Sequence, residues 1–113
     1  MIYLFHNSRC GKSRDCLALL KETKANFQII KYLEKPPSFD QLSVIIEKLG
    51  YKPIDLIRKT EKIWIEKYKS KTFSDHELIQ LMIENPILIE RPIVINGEKA
   101  VVARPFDKAR EVL

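Results

Sequence analysis

The stretch His6-Asn7-Ser8-Arg9-Cys10-Gly11-Lys12-Ser13-Arg14 decides the fold predicted for this chain of 113 residues. It follows Ile2-Tyr3-Leu4-Phe5, a short apolar run rich in aromatic and β-branched residues, which predicts a buried strand. A helix is predicted after it by residues at the spacing of one helical face, namely Ser13, Cys16, Leu17 and Leu20. Cys10 is therefore expected at the junction where a strand passes into a helix.

The position of Cys10 favours a reactive thiol. The first N–H groups of a helix have no partners within the helix, and the helix dipole places partial positive charge there. Arg9, Lys12 and Arg14 add further positive charge nearby. These conditions stabilise the thiolate, which is the nucleophilic form of cysteine. The alternative, an inert cysteine buried in the core, fits a polar and basic loop poorly.

Length and composition predict a single domain spanning residues 1–113. No apolar run approaches the ~20 residues that a membrane-spanning helix needs, and no secretory signal precedes the first strand. Two cysteines six positions apart would lie ~9 Å apart along a helix, so they are not expected to form a disulfide. We therefore expect a cytoplasmic protein, where thiols stay reduced. The net charge of +5 suits an anionic small substrate, and the scattered lysines predict a solvated face rather than a nucleic-acid surface.

The remaining elements follow in order along the chain. A second strand at residues 27–32 completes a right-handed βαβ unit with parallel strands. Ser38 and Ser74 each begin a capping-box sequence that opens a helix, and Gly50 is a natural helix stop. Pro53 can start a short helix, whereas residues 61–72 fit either a helix or irregular structure.

The C-terminal part predicts a hairpin and a last helix. Asn96-Gly97 predicts the turn between antiparallel strands at 92–95 and 98–103. Pro105 should then open a helix with three apolar residues facing the core, namely Phe106, Ala109 and Leu113. The sum is an α/β fold with a mixed four-stranded sheet flanked by helices, and with a helical insertion at about 38–85 between the βαβ unit and the hairpin. A cysteine at the first strand–helix junction is the arrangement of thioredoxin-like proteins.

Several known motifs are excluded by spacing. Gly11-Lys12-Ser13 lacks the first glycine of a phosphate-binding P-loop, and no arginine stands where tyrosine phosphatases need one after their cysteine. Two cysteines and two histidines do not have the spacing of a structural zinc site, so we expect no metal and no bound cofactor. Ser13 stands where dithiol redox proteins have a second cysteine. Its hydroxyl can hydrogen-bond a thiolate but cannot close a disulfide, so an external thiol should complete any redox cycle.

The other polar candidates are two histidines, a second cysteine and three arginines. His6 could support the Cys10 thiolate if the loop curls back, or it is only a satisfied polar residue, whereas His76 should be solvated. Cys16 lies on an apolar face and is expected in the core. Guanidinium groups bind tetrahedral oxyanions through two parallel hydrogen bonds. Three arginines at the ends of apolar elements could therefore form an oxyanion clamp: Arg58, Arg91 and Arg104.

Four blocks of this sequence resemble the glutaredoxin-coupled arsenate reductases. They are His6-Asn7-x-x-Cys10-x-x-Ser13-Arg14, Tyr32-Leu33-x-x-Pro36-Pro37, Leu56-Ile57-Arg58-Lys59, and the run from Pro86 to Val94. The resemblance covers essentially the whole chain and implies a thioredoxin-like fold. It differs at Ser8, where relatives often carry proline, and at Asn85, where they often carry histidine.

The resemblance implies a function and a set of site residues. Cys10 would be the nucleophile, His6 and Ser13 would tune its thiolate, and the three arginines would hold the oxyanion. Cys10 would attack arsenate with release of water. Glutathione would then displace the Cys10 sulfur from arsenic, and glutaredoxin would resolve the mixed disulfide to release arsenite. Glutathione is then a co-substrate and glutaredoxin a partner. Thioredoxin-like folds place a cis-proline opposite the reactive cysteine, which predicts a cis Arg91-Pro92 bond.

Two other functions stay open from the sequence. Spx-type transcription regulators share this fold and bind RNA polymerase, but they carry a Cys-x-x-Cys switch, and Ser13 removes the second cysteine. A family member with a different thiol-transfer substrate is the other alternative.

Overall fold

The computed structural model describes residues 1–113 and contains one four-stranded sheet. The strands are β1 (Ile2–Phe5), β2 (Phe27–Ile30), β3 (Ile93–Asn96) and β4 (Lys99–Val102). Their order across the sheet is β2-β1-β3-β4, with β1 parallel to β2 and antiparallel to β3, and with β3 antiparallel to β4. The predicted α/β fold with a mixed four-stranded sheet is therefore confirmed.

The chain divides into two compact units. The first, the sheet unit, comprises residues 1–35 and 91–113, and the second, the helical unit, comprises residues 36–90. The helical insertion predicted at about 38–85 falls inside the helical unit. That the two units make one domain stays a prediction. No helix in the structure has the length and apolar character needed to cross a membrane.

Two helices of the sheet unit share one core. Helix α1 (Gly11–Glu22) follows β1, and a 3-10 helix at Phe106–Val112, the closing helix, packs against α1, β3 and β4. Leu4 lies directly opposite Val94 in the sheet, so both side chains point to the same face. The core on that face combines strand and helix side chains that are almost fully buried: Ile2, Leu4, Cys16, Leu19, Leu20, Val94, Ala103, Ala109 and Val112. Cys16 is thus a core residue, as its sequence position predicts.

Two sequence predictions about the strands of the sheet unit were wrong in detail. Strand β2 ends at Ile30 rather than at residue 32. The hairpin turn consists of Gly97 and Glu98, because Asn96 still pairs with Lys99 as the last residue of β3. Gly97 adopts a φ of +60°, a left-handed conformation that glycine adopts at no steric cost. The side chain of Asn96 instead donates a hydrogen bond of 2.7 Å to the carbonyl of Val112.

The closing helix buries a different set of residues from the one predicted. Ala109 and Val112 are buried, whereas Phe106 and Leu113 are 39% and 43% exposed. The helix is 3-10, with three residues per turn, so positions three apart share a face. The α-helical spacing assumed from the sequence therefore selected Leu113 where the 3-10 spacing selects Val112.

The helical unit contains α2 (Phe39–Leu49) and α3 (Asp75–Glu84). Both begin with a full capping box, in which Ser38 and Ser74 exchange hydrogen bonds with the residue three positions later. Gly50 ends α2 at a φ of +71°, a left-handed conformation. These three predictions from the sequence are confirmed.

Short turns of helix connect the rest of the helical unit. Pro53–Leu56 and Pro86–Leu88 form 3-10 turns, and Ile57 pairs with Ile89 through an isolated antiparallel bridge. Trp64–Tyr68 forms a single π-helical turn, in the stretch where the sequence fitted either helix or irregular structure. His76 is exposed in the first turn of α3, as predicted.

Candidate active site

Cys10 is the N-cap residue of α1, at the junction between β1 and the helix. Its backbone is extended, its N–H donates to the carbonyl of Asn7 at 3.0 Å, and its carbonyl accepts from the N–H of Arg14 at 3.0 Å. The backbone N–H groups of Lys12 and Ser13 both hydrogen-bond the sulfur. The first turn of α1 contains no acidic side chain. Orphan N–H groups and positive charge are therefore directed at the Cys10 sulfur.

The Cys10 thiol is acidified by these neighbours. Partial burial raises the pKa of Cys10, but the Ser13 N–H, the hydrogen bond from the Arg91 side chain, the Lys12 N–H and the Arg91 charge outweigh it. The net pKa lies below the ordinary value of a cysteine. Cys16 behaves oppositely, because burial without compensating donors raises its pKa to about 11. Of the two thiols, only Cys10 has an environment that favours the thiolate.

The alkylation rate of Cys10 is expected to reach its half-maximum at a lower pH than the ~8.5 of an unperturbed thiol. The reason is that only the thiolate reacts, and a lowered pKa makes the thiolate available at lower pH. Iodoacetamide alkylation of the Cys16→Ser protein, followed across pH by mass spectrometry, isolates the Cys10 signal. A half-maximum at or above the unperturbed value would contradict the described electrostatics.

Ser13 supports the loop through its side chain and the thiol through its backbone. Its hydroxyl is fully buried, accepts the N–H of Asn7 at 3.0 Å, and lies 2.7 Å from His6 Nδ1. The sequence suggested that this hydroxyl would hydrogen-bond the Cys10 thiolate. Instead the backbone N–H of Ser13 contacts the sulfur, because the rotamer of the side chain directs the hydroxyl toward His6 and Asn7.

His6 is buried in surroundings that favour its neutral form. Burial lowers its pKa, and the positive charges of Lys31, Arg14 and Lys21 lower it further. Its backbone N–H donates to the carbonyl of Ile30 at 2.9 Å, which ties the end of β1 to β2. Of the two sequence-based possibilities, the structure favours the satisfied polar residue, whose contact with the site runs through Ser13.

Asn7 is a buried loop residue whose role was not predicted from the sequence. Its carbonyl accepts from Cys10, its N–H donates to Ser13, and its side-chain oxygen accepts from the N–H of Arg9 at 3.0 Å. Asparagine side chains commonly hold turns by bonding the backbone two residues later. The sequence signal for this role was an asparagine at position 7, two residues before Arg9, in a predicted loop.

Arg91 and Arg104 lie in the sheet unit with Cys10. The Arg91 residue is only 7% exposed, and its guanidinium hydrogen-bonds the Cys10 sulfur. Nη1 of Arg104 donates to the Arg91 carbonyl at 3.1 Å, so the two arginines are joined directly. The Arg91-Pro92 bond is cis, as predicted, and the Arg104-Pro105 bond is also cis, which was not predicted. The structure thus brings Cys10, Arg91, Pro92 and Arg104 into one chain of contacts.

Arg58 belongs to the helical unit. Its backbone N–H donates to the Leu88 carbonyl at 2.7 Å, and its Nε lies 3.2 Å from a carboxylate oxygen of Glu61. Both the backbone and the side chain of Arg58 are thus held by contacts within the helical unit. Its role in an oxyanion clamp with Arg91 and Arg104 stays a prediction.

The structure contains no cluster of three or more His, Cys, Asp or Glu side chains with the arrangement of a metal site. The site at Cys10 combines an activated sulfur with the adjacent guanidinium of Arg91. A thiolate and adjacent cationic forks can bind an oxyanion and attack its central atom.

Residues 5–112 match the model of the ArsC family. The chain belongs to the ArsC family. The matched region contains Cys10, Arg58, Arg91 and Arg104, together with the whole loop around Cys10. Membership also supports the thioredoxin-like fold inferred from the strand–helix junction.

Alignments with similar proteins extend over almost the whole of this ArsC family chain. It is 40% identical to the arsenate reductase of Haemophilus influenzae, over 99% of this chain and 98% of that one. It is 36% identical to the uncharacterized protein YfgD of Escherichia coli K12, over 99% and 96% of the two chains. The solved arsenate reductase from Vibrio cholerae superposes with a TM-score of 0.93 at 37% identity, covering 99% of this chain and 97% of that one.

Proposed function

We propose that this ArsC family chain reduces arsenate to arsenite, with the Cys10 thiolate as nucleophile. The observation that carries the proposal is the Cys10 sulfur itself, which receives hydrogen bonds from two helix N–H groups and from the Arg91 guanidinium. This arrangement favours a thiolate and places a cation beside it, where a tetrahedral anion would bind. Relatives of similar length that carry the name arsenate reductase support the choice of arsenate.

The proposed oxyanion site contains Arg91 and Arg104 of the sheet unit. Arg91 would hold the substrate next to the sulfur, and Arg104, bonded to the Arg91 carbonyl, would supply a second guanidinium from the same unit. That Arg58 supplies a third guanidinium stays a prediction from the sequence. Guanidinium forks match the oxygens of arsenate and stabilise the charge that develops while the sulfur–arsenic bond forms.

His6, Ser13 and Asn7 are proposed to position the loop around Cys10. The buried Ser13 hydroxyl bonds both His6 and the N–H of Asn7, and the Asn7 carbonyl holds the N–H of Cys10. These contacts fix the backbone between the end of β1 and the start of α1. A fixed loop keeps the Lys12 and Ser13 N–H groups directed at the sulfur, which preserves the acidified thiol.

Glutathione and glutaredoxin are the proposed reductants. Arsenate reduction takes two electrons, which two thiols supply when their sulfurs become one disulfide. Cys10 is one thiol, and Cys16 is a poor candidate for the other because it is fully buried and its pKa is raised to about 11. A glutathione thiol would therefore form the disulfide with Cys10, and glutaredoxin would reduce that disulfide. This cycle requires a compartment that keeps thiols reduced, and we propose the cytoplasm.

Sustained arsenite production, beyond one arsenite per chain, is expected only when glutathione and glutaredoxin are both supplied with the protein and arsenate. The reason is that one reactive thiol without a resolving cysteine stops after a single mixed disulfide. The measurement is arsenite formed over time in the complete mixture and in mixtures lacking one component. Full turnover without glutaredoxin would contradict the proposed partner. No turnover by well-folded protein in the complete mixture would contradict arsenate reduction and favour a regulator or another thiol-transfer substrate.

A further inference from the structure

The helical unit has an open groove of about 780 Å³ that the proposed chemistry does not use. Its apolar lining residues, called the floor here, include Trp64, Ile65, Phe73 and Leu78. Three lysines line it as well, against one carboxylate. These charged lining residues are Lys59, Lys69, Lys71 and Asp75. We call this surface the basic groove.

The aromatic part of the basic groove is already packed. The Trp64 and Phe73 rings of the lining lie 6.3 Å apart between centroids, and Tyr68, which is next to the lining but not part of it, meets Phe73 edge-on at 6.0 Å. The Lys71 ammonium lies 5.9 Å from the centroid of the Tyr68 ring. Because these rings contact one another, they form a preformed floor rather than a set of open ring faces.

An exposed apolar side chain stands on this floor. Ile65 is 52% exposed, although its neighbour Trp64 is only 7% exposed. Both belong to the π-helical turn Trp64–Tyr68, and such turns occur often at functional sites. The lining of the groove combines apolar and charged side chains, as protein-binding surfaces do.

We propose that the basic groove binds an acidic polypeptide segment that carries an apolar side chain between its carboxylates. The lysine excess supplies charge complementarity, which accelerates encounter and selects an acidic partner. The apolar floor accepts the anchoring side chain. Single-stranded nucleic acid is the less suitable ligand, because bases bind by stacking on free aromatic faces, and the rings here are packed against one another. The proposal does not depend on arsenate reduction.

A titration of the isotope-labelled full chain with a capped peptide of sequence Asp-Asp-Leu-Phe-Glu-Glu tests this proposal by NMR. Amide shifts are expected at Ile65, Phe73 and Leu78, and they should be reduced with a peptide in which Ser-Gly replaces Leu-Phe. Ile65→Ser should weaken binding, and because Ile65 is exposed, the substitution should leave the fold intact. The double variant Lys69→Glu/Lys71→Glu should raise the Kd about tenfold or more, a change of about 1.4 kcal/mol.

The matched control is Lys99→Glu/Lys108→Glu, which changes the net charge equally at exposed positions of the sheet unit. It should alter the Kd much less than the groove variant. Equal weakening by the two double variants would show attraction by net charge alone and would overturn the proposal. Absence of shifts at the groove would also overturn it. Tighter binding of an oligothymidylate of the same charge at the groove would replace it with a nucleic-acid site.

Discussion

Replacing Cys10 by serine is expected to reduce arsenite production to the level seen without protein. A serine hydroxyl has no activating base here, so it is a far weaker nucleophile than the thiolate it replaces. The serine oxygen also cannot form a disulfide with glutathione, which is the step that supplies the electrons for arsenate reduction. The measurement is arsenite production with glutathione and glutaredoxin in excess.

The Cys16→Ser protein is the matched control for that substitution. Because Cys16 lies in the core with its thiol fully buried, serine there should leave turnover nearly unchanged. Burying the hydroxyl without a partner should lower the free energy of unfolding by about 1–3 kcal/mol, measured by urea denaturation. Residual turnover by the Cys10→Ser protein, or loss of turnover by a folded Cys16→Ser protein, would contradict the assignment of Cys10 as the nucleophile.

Replacing Arg91 by alanine is expected to lower kcat/KM. The loss of transition-state stabilisation should be about 2–4 kcal/mol, the typical cost of a lost oxyanion donor. Arg91 has two tasks in the proposed site, since its guanidinium bonds the Cys10 sulfur and would hold the substrate. The variant should therefore also show a higher pKa for Cys10, because a hydrogen bond and a positive charge that lower this pKa are both removed. Steady-state kinetics and the pH dependence of alkylation measure the two effects separately.

Arg110→Ala is the control for Arg91→Ala, because Arg110 is an exposed arginine of the same unit in the closing helix. Its removal changes the net charge equally and should leave both kcat/KM and the alkylation profile within error of the parent. Circular dichroism checks that each variant is folded. Equal losses from the two substitutions would mean that Arg91 acts only through the overall charge.

Local rules predicted the parts of the fold in which neighbouring residues decide the conformation. Ser38 and Ser74 open helices because each finds its capping partner three residues later, and Gly50 ends one because it tolerates a left-handed backbone. The apolar run before Cys10 likewise gave β1 and the junction with α1. These features need no distant contact.

Features that depend on tertiary contacts were missed. The closing helix is 3-10 and packs on α1 and β4, so Val112 rather than Leu113 reaches the core. Asn96 is the last residue of β3, pairs with Lys99 of β4 and donates to the Val112 carbonyl, so the turn moves on by one residue. Tertiary context overrode the local turn signal at that position.

The site was predictable as a set of residues but not as a network. The sequence indicated Cys10 and Arg91, and the structure joins them through a hydrogen bond to the sulfur. It did not indicate which way the Ser13 side chain turns, since that rotamer depends on His6 and Asn7 folding back over the loop. Arg58 lies in the other unit, and its role in substrate binding stays a prediction.

The most direct measurement traps the intermediate on the protein. Wild-type protein is incubated with arsenate and glutathione but without glutaredoxin, and its intact mass and peptide map are then determined under non-reducing conditions. The proposed chemistry predicts one glutathione per chain, attached through a disulfide to Cys10, and formed only when arsenate is present. Glutathione attached to Cys16, or a Cys10 adduct that forms equally well without arsenate, would contradict arsenate reduction by the Cys10 thiolate.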